Sequence, residues 1–68
     1  MKNLVEQERK NRGLTREELA KLVDVSRQTI YFLETGKYNP SLQLAHKLSQ
    51  VFNCLIEDLF IFDEEGAD

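Results

Sequence analysis

Residues that begin and end α-helices recur along this 68-residue chain, and they constrain its fold more than any other feature. Asn3 and Thr15 each have a glutamate three residues later, the spacing of an N-cap and its reciprocal partner, while Ser26 and Ser41 precede further helical stretches. Each stretch is followed by a residue that tolerates the left-handed conformation of a helix end: Gly13, Asp24, Gly36 and Asn53. With a last short helix from Ile56 to about Phe60, the pattern predicts an all-α fold of five helices.

Apolar residues at helical spacing give the predicted helices an inner side. The expected members are Leu19, Ala20, Leu22, Val23, Ile30, Leu33, Leu44, Ala45, Leu48, Val51, Phe52, Ile56, Leu59 and Phe60. Two residues depart from this pattern. Glu8 falls on the inner side of the first helix, so that helix is expected to be thinly packed or rotated, and Leu55 occupies the N-cap of the fifth helix without an acceptor.

The length and composition allow one small domain, which we place at residues 1–62, followed by an acidic tail at 63–68 that is expected to be disordered. A single cysteine excludes an intrachain disulfide framework and predicts the reducing cytoplasm. The longest apolar run, residues 59–62, is far too short to span a membrane. One proline and three glycines argue against a turn-rich β fold.

The net charge of −3 divides unevenly along the chain. Residues 1–47 contain all nine lysines and arginines and six of the twelve acidic residues, a balance of +3, whereas residues 48–68 contain the other six acidic residues and no basic one. This asymmetry predicts an electropositive face in the first part of the chain and an acidic end behind it.

Only residues 24–26 separate the predicted second and third helices. So short a connection makes the two helices cross steeply, which is the arrangement of a helix-turn-helix unit. The second helix of such a unit can enter the major groove of DNA.

The segment LTREELAKLVDVSRQTIYFLETGKYNPSLQLAHKLSQVFNCLIEDLF resembles the Cro/cI-type helix-turn-helix family, also called the XRE family, and the likeness extends from Lys2 to Phe60. Its most specific parts are VSRQTI, LETGKYNPSL and IEDLF, and small stand-alone members are the most similar. The resemblance implies a five-helix phage-repressor-like DNA-binding domain with helices two and three as the helix-turn-helix. It further implies sequence-specific binding of double-stranded DNA by a transcriptional regulator, expected to be a repressor and usually a homodimer on a palindromic operator.

Helix three contains the residues expected to contact bases. With Ile30 and Leu33 facing inward, its outer side contains Gln28, Tyr31, Phe32 and Thr35, and Arg27 begins the helix. Gln28 has the amide that pairs with adenine, and the Arg27 guanidinium can bind guanine or a phosphate. The resemblance implies base contacts by Arg27, Gln28, Tyr31 and Phe32. The Phe32 ring has three open roles: contact with thymine methyls, a partner-binding site, or packing onto the loop near Tyr38.

Other residues of the family pattern are expected around this helix. The expected contacts with the DNA backbone are Arg16, Ser26, Thr29, Lys37 and Tyr38. The resemblance also implies a structural ion pair between Arg9 and Glu34 that fixes helix three against helix one. Phe52, Ile61 and Phe62 are the expected dimer interface, although closure of the protein's own core would use the same apolar residues.

Catalysis, a metal site and a cofactor are not expected. His46 and Cys54 have no second histidine or cysteine to complete a metal site or a nucleophilic centre, and the chain has no glycine-rich phosphate loop. No small-molecule ligand is expected either. The second hypothesis is an antitoxin-like or anti-regulator protein-interaction module, in which an exposed Phe32 and the acidic tail bind a partner protein.

Overall fold

A computed structural model describes residues 1–62, and the predicted acidic tail at 63–68 lies outside the described residues. The described chain forms five helices: α1 Val5–Asn11, α2 Arg16–Val23, α3 Arg27–Glu34, α4 Leu42–Phe52 and α5 Ile56–Leu59. Within residues 1–62 the prediction of an all-α fold is therefore confirmed. An isolated antiparallel bridge between Asn3 and Phe60 joins the two ends of this region, and its pairing was not foreseen.

Local hydrogen bonds explain why α2, α3 and α4 begin where they do. Thr15 Oγ1 accepts from the Glu18 amide at 3.0 Å, and the Glu18 carboxylate accepts from the Thr15 amide at 2.8 Å, which is a complete capping box. Those bonds to Thr15 lower the pKa of Glu18. Ser26 and Ser41 cap the next two helices in the same way, each accepting from a backbone amide at 3.1 Å.

The start of α1 differs from the prediction. Leu4 occupies the N-cap position and α1 begins at Val5. The Asn3 side chain accepts from the Val5 amide at 3.1 Å but donates to the Leu33 carbonyl at 2.9 Å, so it joins α1 to the end of α3. Glu6 lies 3.2 Å from Lys10 Nζ, and no bond from Glu6 to the Asn3 backbone is present. The expected reciprocal pair between Asn3 and Glu6 is therefore wrong.

The core contains most of the expected apolar side chains. Its buried members are Val5, Leu19, Ala20, Val23, Ile30, Leu33, Leu44, Ala45, Leu48, Phe52, Leu59 and Phe60. Leu22, which we expected inside, is 58% exposed. The reason is helical geometry: at 100° per residue, Leu22 lies about 80° from the mean direction of Leu19 and Val23, on the side away from buried Ala20. Glu8 is only half-buried and pairs with Arg12, so it does not enter the core.

The helices pack against one another in pairs. The α2 helix contacts α3 and α4, α5 packs against α4, and α1 contacts α3. Residues 24–26 join α2 to α3, and Asp24 ends α2 with a positive φ of 61°. In residues 1–62, none of the helices is both long enough and apolar enough to cross a bilayer.

The end of α4 corrects the expected dimer interface. Phe52 is 1% exposed. Arg12 covers it: the guanidinium lies 5.1 Å from the ring centroid, and Nη2 donates to the Phe52 carbonyl at 2.6 Å. The Phe52 side chain is thus part of the monomer core, and its assignment to a dimer interface is wrong. Ile61 and Phe62 are 48% and 57% exposed, respectively.

Candidate nucleic-acid interface

One side of α3 is buried and the other is open to solvent. Ile30 and Leu33 are fully buried, whereas Tyr31 and Phe32 are 46% and 39% exposed. The rings of Tyr31 and Phe32 are neighbours, with centroids 5.7 Å apart and planes tilted by 55°. Arg27 and Gln28 are exposed on the first turn of the same helix. The four residues predicted to contact bases therefore share one accessible surface.

A cleft of about 440 Å³ lies between the start of α2 and the start of α3. Its lining consists of Arg16, Arg27, Gln28 and Tyr31. Each of these side chains can donate hydrogen bonds, through two guanidinium groups, an amide and a phenol. Phosphate oxygens and the acceptor atoms of base edges are the complementary groups on DNA. This cleft brings the predicted backbone contact Arg16 together with three of the predicted base contacts.

Glu34, at the end of α3, binds two arginines. Its Oε2 lies 2.6 Å from Arg9 Nε and its Oε1 lies 2.8 Å from Arg16 Nε. The Glu34 side chain is 1% exposed, against 8% for Arg9 and 36% for Arg16. Arg9 Nη1 also donates to the Leu14 carbonyl at 2.8 Å. The ion pair implied by the family resemblance is thus present, and it links α1 to the end of α3.

The contacts that Arg16 makes within the protein were not foreseen from the sequence. Besides Glu34, its guanidinium lies 5.2 Å from the centroid of the Tyr31 ring, and its Nη2 lies 3.8 Å from a Glu6 carboxylate oxygen. The hydrogen bond to Glu34 raises the pKa of Arg16. Arg16 and Glu34 are separated by 18 residues, and no sequence pattern signals a pairing at that distance.

The other predicted backbone contacts lie at the two ends of α3. At its start, Ser26 Oγ accepts from the Thr29 amide and lies 2.9 Å from the Thr29 hydroxyl, so both hydroxyls take part in the cap. At its end, Lys37 and Tyr38 are exposed in the loop that follows Gly36, whose φ of 81° allows the chain to turn away. Neither of them lines the cleft.

The candidates for other chemistry do not come together. In the part of the chain that the structure describes, no group of three or more histidine, cysteine or acidic residues could hold a metal ion. Cys54 is half-buried, and burial raises the pKa of its thiol, which disfavours the reactive thiolate. His46 is exposed on α4.

Comparison with known proteins gives the family. The helix-turn-helix model HTH_3 matches residues 5–59. An uncharacterized HTH-type transcriptional regulator of Archaeoglobus fulgidus is 60% identical over 96% of this chain and 93% of its own length. A second such regulator, from Methanothermobacter thermautotrophicus, is 53% identical over 98% of this chain and 99% of its own. A third, from Bacillus subtilis, is 43% identical over 97% and 100%.

These relatives are small single-domain proteins, and the match includes all five helices described above. Their family consists of DNA-binding transcription regulators and is not enzymatic. The chain therefore belongs to the XRE family of helix-turn-helix transcriptional regulators.

Proposed function

We propose that this protein recognises a specific sequence of double-stranded DNA by placing α3 in the major groove, and that it represses transcription there. The observation that carries the proposal is the cleft lined by Arg16, Arg27, Gln28 and Tyr31, which presents hydrogen-bond donors beside the exposed side of α3. Gln28 would pair with adenine, and Arg27 with guanine or a phosphate. A good bidentate contact of this kind discriminates between bases by about 1–3 kcal/mol.

Contacts with phosphates would fix the orientation of α3 without reading sequence. Arg16 approaches one strand from the start of α2, and Ser26 and Thr29 lie at the start of α3. Lys37 and Tyr38 would meet the backbone beyond the end of α3, where both are exposed. The positive balance of residues 1–47 supports this docking, because Arg16 and Arg27 in the lining of the cleft belong to that part of the chain.

We further propose a homodimer on a palindromic operator. One module of this size buries only about 600–1,000 Å² on DNA, and two-fold symmetry doubles that contact. Exposed Ile61 and Phe62 are the proposed interface, with half-sites about 34 Å apart. Residues 1–62 would form the DNA-binding domain of this cytoplasmic regulator, which represses by occupying the operator.

Selection of duplexes from a random library at near-physiological salt tests the proposal. The wild-type protein is expected to enrich one palindromic sequence, and Gln28→Ala is expected to reduce its preference for that duplex over a scrambled one by about 5- to 150-fold. Gln50→Ala, which removes an exposed glutamine on α4, is the matched control and should leave the preference unchanged. Absence of any enriched sequence with the wild-type protein would contradict the proposal.

A protein-interaction module, of antitoxin or anti-regulator type, is the second candidate. The observation that favours it is the exposed aromatic pair Tyr31 and Phe32, since aromatic residues are enriched at protein interfaces. Salt dependence separates the two functions. Binding to DNA weakens with a slope near −0.9 per neutralised phosphate on logarithmic axes, whereas binding to a protein partner changes little over the same range.

A further inference from the structure

The orientation of the Arg16 side chain is fixed by a buried group. Its Nε donates to Glu34 Oε1 at 2.8 Å, and the Glu34 side chain is 1% exposed. Glu34 is itself held by Arg9, whose side chain is 8% exposed. An arginine on an open helix surface samples many rotamers, because ordering it costs conformational entropy. Because Glu34 is held by Arg9, its bond to Nε restricts the rotamers of the Arg16 side chain.

The same guanidinium lies against a residue of the reading surface. Its central carbon is 5.2 Å from the centroid of the Tyr31 ring, within the range of about 6 Å for a cation–π contact. Tyr31 is 46% exposed, and both the Arg16 guanidinium and the Phe32 ring lie against its ring. Arg16 and Tyr31 both line the cleft beside Gln28. A chain of contacts therefore runs from Arg9 through Glu34 and Arg16 to Tyr31.

We infer that Arg16 is a positioning residue for base reading: anchored by Glu34, it holds the Tyr31 ring in the orientation in which α3 selects its DNA sequence. This inference rests on the proposed function of α3. It assigns to Arg16 a part in sequence selectivity in addition to affinity for phosphate. Only arginine supplies both features, since the Nε donor binds Glu34 and the planar face covers the ring, whereas lysine provides a point charge alone.

The test compares Arg16→Lys, Arg16→Gln and Tyr31→Leu, alone and combined. The measured quantity is the ratio of dissociation constants for a scrambled duplex and the selected duplex. Each Arg16 variant is expected to lower this ratio by about 2- to 5-fold, the effect of losing an exposed cation–π contact. In the Tyr31→Leu protein the same substitutions are expected to lower it no further. Thermal unfolding by circular dichroism identifies any variant that has lost its fold.

A role limited to phosphate binding gives a different pattern. Arg16→Lys would then retain the affinity for both duplexes because it keeps the positive charge. Arg16→Gln would reduce the affinity for the selected and the scrambled duplex equally. The effects would also add to those of Tyr31→Leu. Any of these three results overturns the positioning role.

Proton exchange in the DNA-free protein gives an independent readout by NMR. The Nε–H proton of Arg16 is expected to exchange more slowly than that of Arg27, an exposed arginine that serves as the matched control. Glu34→Gln keeps one acceptor oxygen for two arginines and should reduce the difference. A wild-type protein that selects a duplex while the two protons exchange equally fast contradicts the positioning role alone. A wild-type protein that selects no duplex contradicts both this inference and the proposed function.

Discussion

Two regions of the molecule share one apolar core, and only one of them adds a buried ion-pair network to it. In helices α1 to α3, apolar side chains such as Ile30 and Leu33 are buried in that core, and Glu34 in addition binds Arg9 and Arg16 through directional polar contacts. In helices α4 and α5, buried apolar side chains such as Leu48 and Phe60 dominate. Hydrogen bonds and ion pairs specify geometry because they weaken steeply when the donor and acceptor are misaligned. Burial of apolar side chains stabilises the fold but depends little on their orientation. The orientation of α3 therefore depends on apolar burial together with polar contacts of stricter geometry.

The two parts also differ in what they leave exposed. Around α3 the exposed side chains include hydrogen-bond donors, such as those of Arg27 and Gln28 at the start of the helix. Around α4 and α5, large apolar side chains are exposed instead, with Leu42 at 80%, Leu55 at 63% and Phe62 at 57%. A surface of the first kind suits a polyanion, and one of the second kind suits another protein surface.

The largest expected loss of stability concerns the apolar packing of α4 and α5, and two nearly adjacent phenylalanines test it. Phe60 is 1% exposed and Phe62 is 57% exposed. Phe60→Ala is expected to lower the free energy of unfolding by about 3–5 kcal/mol, because it removes a buried ring and leaves a cavity. Phe62→Ala should change the stability of the monomer little and weaken the proposed homodimer. Urea unfolding and sedimentation measure the two effects, and equal losses of stability would contradict the assignment.

The next effect tests the polar part. Glu34→Gln leaves the buried Arg9 guanidinium without a charged partner and is expected to lower the free energy of unfolding by about 2–3 kcal/mol. Glu6→Gln is the control, since the Glu6 carboxylate is largely exposed and its ion pairs are screened by water. If the Glu34→Gln protein were as stable in urea as the wild type, the ion pairs of Glu34 with Arg9 and Arg16 would not contribute to holding α3 in place.

Local signals explain which parts of this fold the sequence predicts well. The ends of α2, α3 and α4 follow from residues within one helical turn, such as Thr15 with Glu18 and the left-handed residues Asp24 and Asn53. The exposed and buried sides of α3 follow from helical spacing. The prediction for Leu22 was wrong because helical spacing extended the inner side of α2 to this residue, whereas the buried stripe of α2 is narrower than the sequence suggests.

Contacts between distant residues explain the other differences. The Asn3 side chain binds Leu33, which is 30 residues away, so no local rule could foresee that α1 would begin later. The same sequence pattern allows Phe52 either to close the core or to face a partner protein. Only the packing of α4 in the folded protein decides between these two roles. In the candidate site, the residues on α3 could be predicted from spacing, whereas the bond between Arg16 and Glu34 depends on how α2 meets α3.

Substitutions at two helix N-caps are expected to change the free energy of unfolding by smaller amounts. The change at α3 is expected to destabilise the protein, and the change at α5 to stabilise it. Ser26→Ala removes the acceptor for the Thr29 amide and is expected to cost about 1 kcal/mol. Leu55→Ser supplies an acceptor that α5 lacks and is expected to add about 0.5–1 kcal/mol. Leu55→Ala separates the loss of the leucine side chain from the gain of the cap. A Leu55→Ser protein no more stable than Leu55→Ala in urea would contradict this account of α5.

The smallest expected effect is a pH dependence in the polar part. Bonds from Thr15 lower the pKa of Glu18 in the folded protein below its unfolded value, so the ionised carboxylate stabilises the folded state. That contribution is fully present above the unfolded pKa and is lost as the pH falls through the folded pKa. Glu18→Gln keeps an acceptor oxygen but does not titrate, so its loss of stability relative to the wild type should be largest near neutral pH and shrink below about pH 4.

Urea unfolding across this pH range measures the difference, with Glu17→Gln as the control. Glu17 lies in the same turn of α2 but makes no bond to the N-cap, so its removal changes the charge without changing the cap. If both variants show the same dependence on pH, general charge repulsion explains the result. If only Glu18→Gln shows this pH dependence, the lost stability comes from the capping box. Acid would then weaken the start of α2, beside the cleft, before it affects the apolar packing of α4 and α5.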